Sequence, residues 1–161
     1  MQKTRGFTLL ELVIVVVILG ILAAIALPKF IGLQKEARLA VIDSGYNTTR
    51  SAITLVYAKA VANGLDTQAN VCMNLFDGQT CASSDGDPDD DINITYGYPR
   101  TTQTDIRVMF DDLSERFEFS GGGGTALVTL QLDGIADCQI QYAPPTQVGH
   151  RPTLNKQTDG C

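Results

Sequence analysis

One carboxylate stands where carboxylates are costly: Glu11 lies four residues into the stretch Phe7 to Leu27, which carries no other charge. A carboxylate in hydrocarbon costs on the order of 2 to 3 kcal/mol at mid-depth, less near an end, and is normally paired with something. The chemistry it offers is ion pairing. Four cysteines, Cys72, Cys81, Cys138 and Cys161, follow the apolar stretch, and none has a Cys or His partner at zinc-finger spacing. An even count beyond such a stretch points to an oxidising compartment and two disulfides, with three pairings open. "DGDPDDDIN", residues 85–93, sets Asp85, Asp87, Asp89, Asp91 and Asn93 at alternate positions, hard oxygen ligands able to wrap calcium. It lacks the sixth-position glycine and twelfth-position glutamate of an EF-hand, so the first expectation is a solvated acidic loop, with calcium as the one cofactor it could take. His150 is the only histidine, and no nucleophile, base and acid accompany it. An exposed loop residue in a chain that is not an enzyme is expected.

Phe7 to Leu27 must position Glu11, and as a helix it is about 32 Å long, enough to cross a bilayer core of roughly 30 Å. Lys3 and Arg5 precede it, so the positive-inside rule keeps Met1 to Gly6 in the cytoplasm and sends the remainder across. "AIA", Ala24 to Ala26, fits a secretory cleavage site, and a permanent single-span anchor also fits; both leave Glu11 unexplained. Gly20 and Pro28 make the stretch between them the weakest part of the helix, because proline has no amide proton and clashes with the carbonyl of Ala24.

Beyond Pro28, Phe30, Leu33, Ala37 and Ala40 recur at helical steps, as do Ile53, Val56, Ala60 and Val61, while Gly45 interrupts the pattern. One long helix from Phe7 to about Asn63 is expected, stopped at Asn63-Gly64. Residues 67–99 read as loop followed by the strand-like "INITYGYP". "TDIRVMFDDLSERF" sets Ile106, Met109, Phe110, Leu113 and Phe117 on one helical face, and "GGGG" at 121–124 reads as a flexible connector. "TALVTLQL" and "CQIQYA" read as strands joined near Asp133-Gly134, with another in "RPTLNK". Of 18 Asp and Glu and 12 Lys and Arg, all but Glu11, Lys3 and Arg5 lie from Lys29 onward; that part loses two cations and one anion relative to the chain's −6 and stands at −7. A nucleic-acid partner is not expected for such a charge. Phe7, Phe30, Tyr46 and Tyr57 along the helix are read as packing rather than as an electron path, and the sequons at Asn47 and Asn93 carry little information.

"RGFTLLELVIVVVILGILAAIALPKF" resembles the N-terminus of type IV pilins, through the basic residue before Gly6, the Gly-Phe junction, Thr8, the acid at this spacing and the later Gly and Pro. The resemblance implies a leader, residues 1–6, cut by a prepilin peptidase between Gly6 and Phe7, with N-methylation of Phe7. It implies a hydrophobic helix, residues 7–28, held in the inner membrane and then in the filament core, and an extracytoplasmic globular domain, residues 29–161. It assigns Glu11 to registering incoming subunits against the Phe7 amine, and it implies local melting between Gly20 and Pro28 in the fibre. The fold implied is α+β, a long N-terminal helix packed on a small antiparallel sheet. Sequential pairing, Cys72 with Cys81 and Cys138 with Cys161, agrees with the C-terminal disulfide loop of similar pilins. The implied partners are copies of the chain in a helical filament, the peptidase, the inner membrane and its pilus assembly machinery, with the cell-surface pilus as final location. "ITYGYP", "DCQIQYAPP" and "RPTLNKQTDGC" resemble the mannose-sensitive haemagglutinin branch of type IVa pilins, which implies attachment, biofilm formation and motility. The alternatives are a type II secretion pseudopilin, a group that uses a calcium-binding loop, and a soluble secreted binding protein cleaved after Ala26.

Overall fold

The computed structural model describes residues 7–75, 78, 80–81, 91–110, 113 and 115–161. The chain divides into two units, Met1–Ala37 and Arg38–Cys161, and one helix, α1 (Leu9–Ala62), contributes to both. The helical backbone runs through Gly20 and Pro28. It ends as expected: Asn63 donates to the Lys59 carbonyl, and Gly64 takes a positive φ of 68°.

In the second unit α1 buries Ile42, Gly45, Thr49, Ile53, Val56 and Ala60, a stripe of three- and four-residue steps. The expected stripe at Leu33, Ala37 and Ala40 is exposed, and so is Val61; the Phe30 side chain lies outside the description. Gly45, read in the sequence as an interruption, is a contact point, because a Cβ there would stand 2.9 Å from the Phe117 ring and 3.1 Å from Ile140.

Two antiparallel sheets, rather than one, pack on this stripe. Strands β1 (Val71–Asn74), β2 (Asp91–Thr95) and β3 (Tyr98–Pro99) form the first, in the order β1-β2-β3. Its buried Met73, Ile92 and Ile94 meet Val56, Ala60 and Leu65. Helix α2 (Gln103–Met109) follows, and β4 (Phe117–Gly121), β5 (Val128–Leu132), β6 (Gln139–Ala143) and β7 (Thr153–Gln157) form a four-stranded meander. Its inner face, with Phe117, Leu130, Leu132, Ile140 and Tyr142, packs on Ile42 and Ile53. β5, β6 and β7 match the strands expected near these positions; β1, inside the segment expected to be loop, does not.

The second helix is shorter than its spacing implies. Phe110 caps it, donating to the Ile106 carbonyl at 3.0 Å, and Phe117 belongs instead to β4, paired with Leu132. Residues 106–117 satisfy a helical stripe, but "FEF" also alternates with period two, and pairing with β5 decides in favour of the strand.

The four glycines are a fixed turn and not a flexible connector. Gly121 to Gly124 all take positive φ, between 72° and 124°. Gly123 donates to the Thr101 carbonyl at 2.9 Å, and Thr101 returns its amide to the Gly124 carbonyl at 2.9 Å. A Cβ on Gly122 would stand 2.3 Å from the Thr101 carbonyl oxygen, so glycine is required for the approach as well as the dihedral. The buried Tyr142 hydroxyl donates to the Pro99 carbonyl at 2.7 Å, a second tie between the two sheets.

Two outcomes follow. Gly45→Leu in the detergent-solubilised chain should lower stability by roughly 1 to 3 kcal/mol through overpacking against Phe117, despite leucine's better helix propensity, as read by denaturant unfolding. Burial, with the field of Tyr98 second, pushes the Tyr142 phenol well above its ordinary 10.0, so the folded state holds that proton more tightly than the unfolded one. Stability from this source is full below pH 10.0 and declines as pH rises toward the folded value; the melting midpoint should fall in alkali, and less steeply in Tyr142→Phe.

Candidate functional site

The first turn of α1 is a reciprocal cap. Thr8 donates its backbone N–H to Glu11 Oε2 at 3.2 Å and its hydroxyl to the same oxygen at 3.0 Å. The Glu11 amide donates back to Thr8 Oγ1 at 3.2 Å. This is a capping box, Thr-x-x-Glu, which satisfies donors that a helix start leaves unpaired and sets a negative charge at the positive end of the helix dipole. The signature was readable in "TLLE", where attention to the charge of Glu11 hid its local role. Gly6 lies outside the described residues, and Phe7, beside the cap, is exposed.

Leu9–Ala26 is long and apolar enough to cross a membrane, and its side chains are open to the surroundings of the single chain. Leu10, Ile14, Val17, Ile21 and Ile25 are each about half exposed or more, as are the residues between them, so the apolar surface runs all round the helix. A helix of this kind needs lipid or other apolar helices around it. Glu11 is the one charge within it.

Both disulfides of the second unit are sequential: Cys72 joins Cys81, and Cys138 joins Cys161. The second bridge ties the start of β6 to a segment beyond β7, and Arg38 donates to the Cys161 carbonyl at 3.4 Å, fastening the same segment to α1. The chain-entropy model gives about 3 kcal/mol for a loop of this length.

Of the expected calcium ligands, Asp85, Asp87 and Asp89 lie outside the described residues. Asp91 begins β2, accepts from Asn74 Nδ2 at 3.4 Å and lies beside the Cys72–Cys81 bridge. Those sulfurs are bonded to each other and do not serve as ligands. Asn93 gives its backbone N–H and its side-chain amide to Asp105 Oδ1 at 2.8 and 3.0 Å. Asp105 is fully buried and also accepts from the Thr102 hydroxyl, so its carboxylate clamps α2 to β2. The sequence reading missed this clamp, although Thr102 and Asp105 stand at capping-box spacing. His150 is exposed in the turn before β7.

A hydrophobic, capped N-terminal helix whose second half packs on antiparallel sheets, with a disulfide-closed C-terminal loop, defines a helix-anchored structural subunit. The family model for the prokaryotic N-terminal methylation motif matches residues 1–27. The type IV narrow pilus major component PilA5 of Thermus thermophilus is 38% identical over 132 residues, 82% of this chain and 100% of that protein. A fimbrial protein of Pseudomonas aeruginosa is 28% identical over 89% of this chain and 90% of its own length. The type II secretion system core protein G of Klebsiella pneumoniae is 51% identical, but over 37 residues, 23% of this chain and 26% of that protein. No solved structure matches. The chain belongs to the type IV pilin family, a structural and non-enzymatic one.

The capping box makes a testable demand. Thr8→Val removes the hydroxyl that both gives to Glu11 and receives from its amide, and should weaken the first turn by about 1 kcal/mol. Amide exchange at Glu11 and Leu12 in micelles should quicken while the amides of β5 and β6 keep their protection.

Proposed function

We propose that this chain is the major subunit of a type IV pilus. The observation that carries the reading is an apolar helix open on every side together with a likeness to a pilus major component that spans the whole of that protein. The secretion-system match covers only 23% of this chain and 26% of that protein, and supports the alternative less. The subunit waits in the inner membrane, loses residues 1–6 to a prepilin peptidase and is methylated on Phe7. Inner-membrane assembly machinery then moves it into a homo-oligomeric helical filament on the cell surface, where it serves attachment, biofilm formation and motility. "ITYGYP", "DCQIQYAPP" and "RPTLNKQTDGC" support placing it in the mannose-sensitive haemagglutinin-like branch.

The physical account of assembly rests on Glu11. Moving the helix from lipid to a bundle of like helices changes its apolar surroundings little, so burial alone discriminates weakly between the two. The Thr8 donors satisfy one carboxylate oxygen without neutralising the charge. The Phe7 amine freed by cleavage supplies a cation, on the same subunit or on a neighbour, and in a low-dielectric core the pairing is strong enough to select register. Gly20 and Pro28 give the helix the place where it melts as it packs.

Glu11→Val should leave cleavage and membrane insertion intact and abolish filaments. Intact-mass spectrometry of the wild type and the variant should find both beginning at methylated Phe7, and sheared surface fractions should contain pili only for the wild type. A start at Leu27, or normal pilus numbers in Glu11→Val, would overturn the reading.

A further inference from the structure

A groove of about 450 Å³ runs along α1 in the second unit, walled on the helix side by Tyr46, Arg50 and Tyr57 and on the other by Tyr98 and Arg151. A hollow of about 350 Å³ adjoins it, sharing Tyr57, Tyr98 and Arg151 and adding Tyr96, His150 and one acid, Asp66. Four of the five tyrosines and the only histidine of the chain therefore gather at one place. The helical residues reach it by spacing, since positions 46, 50 and 57 share one side of α1, next to the buried stripe.

The charge of the groove runs against that of the chain. At a net −6 the protein has many carboxylates, yet none lines the larger groove. Lys156 and Arg116 are paired with Asp43 and Asp133, whereas Arg50 and Arg151 have no ion-pair partner among the described residues. The Tyr57 and Tyr98 rings stack at 4.5 Å with 16° between their planes, so this wall is set before any ligand arrives. Its volume falls within the range of small-ligand sites.

Two unpaired guanidiniums beside three phenol rings suit a ligand that joins a carboxylate to a body with an apolar face and hydroxyl groups. We infer that the groove is a binding site for a carboxylate-bearing saccharide, a hexuronate unit of an acidic polysaccharide. A guanidinium holds the carboxylate through paired N–H···O bonds, which a lysine would not match. The C–H face of the sugar lies on the phenol rings, and the tyrosine hydroxyls exchange hydrogen bonds with the ring hydroxyls. An acidic peptide offers the carboxylate on a short flexible stem and leaves the aromatic wall uncovered. The site is complete in one chain, so it goes beyond the filament role and does not depend on it.

The test uses the detergent-solubilised full chain, unassembled, titrated by calorimetry with tetragalacturonate, with neutral maltotetraose and with tetraglutamate. Tetragalacturonate should bind, maltotetraose should not, and tetraglutamate should bind at least about tenfold more weakly, a difference of about 1.4 kcal/mol. Arg50→Gln combined with Arg151→Gln should weaken tetragalacturonate binding by at least about tenfold, while Lys35→Gln, an exposed cation of α1 outside the groove, should leave it unchanged. In the unsubstituted chain, tyrosine ring resonances of Tyr46, Tyr57 and Tyr98 should shift on titration while buried Tyr142 holds, a readout that survives any folding defect of the variants. Absence of binding, equal loss in Lys35→Gln, or unshifted tyrosines would overturn the proposal. Tetraglutamate binding as tightly as tetragalacturonate would replace the saccharide by an acidic peptide.

Discussion

A single helix has to meet two different surroundings, and the rest of the molecule depends on how it does so. In its first half α1 is apolar on every side and requires lipid or like helices around it. In its second half it presents one stripe, Ile42 to Ala60, and two sheets must be shaped to fit that stripe. At Gly45 the helix backbone meets the edge of the Phe117 ring so closely that a Cβ would stand 2.9 Å from it. Thr49, next along the stripe, is wholly buried with no partner for its hydroxyl among the described residues, a cost the packing on either side has to offset.

Two sheets on one stripe would be free to shift against each other without ties across their junction, and the ties are polar. Thr101 exchanges backbone hydrogen bonds with the glycine turn of the four-stranded sheet, and Tyr142 reaches from that sheet to the Pro99 carbonyl of the other. Asp105 accepts from Asn93 and Thr102 together, holding α2 against β2. Thr101, Tyr142 and Asp105 are buried and each has its hydrogen-bond partner, which is the condition under which buried polar groups specify an arrangement instead of weakening it. The Cys138–Cys161 bridge and the Arg38 contact with Cys161 then close the far side of the meander on α1.

Glu11 joins local structure to the proposed filament role. In the single chain it is a helix cap for Thr8, which lets a carboxylate persist at the head of an apolar helix. Among the described residues no cation pairs with it, and in the proposed filament a charge capped but not neutralised would recognise a cation on an incoming or neighbouring chain.

What the sequence determined by itself is what depends on neighbours along the chain. The apolar helix and its end at Asn63-Gly64, the strands at 128–132, 139–143 and 153–157, and the capping signature of Thr8 and Glu11 are all local in cause, because periodicity, caps and turn residues act over a few positions. Tertiary structure decided where the same local signal served two outcomes or where the partner was remote. Phe117 fits a helical face until Leu132 pairs with it. Gly45 breaks an apolar stripe until Phe117 is seen against it. The glycines at 121–124 read as loose until Thr101, about twenty residues away, binds them. The tyrosine and arginine groove has no sequence signature at all, since positions 46 to 57, 98 and 151 meet only after both sheets have packed on one helix.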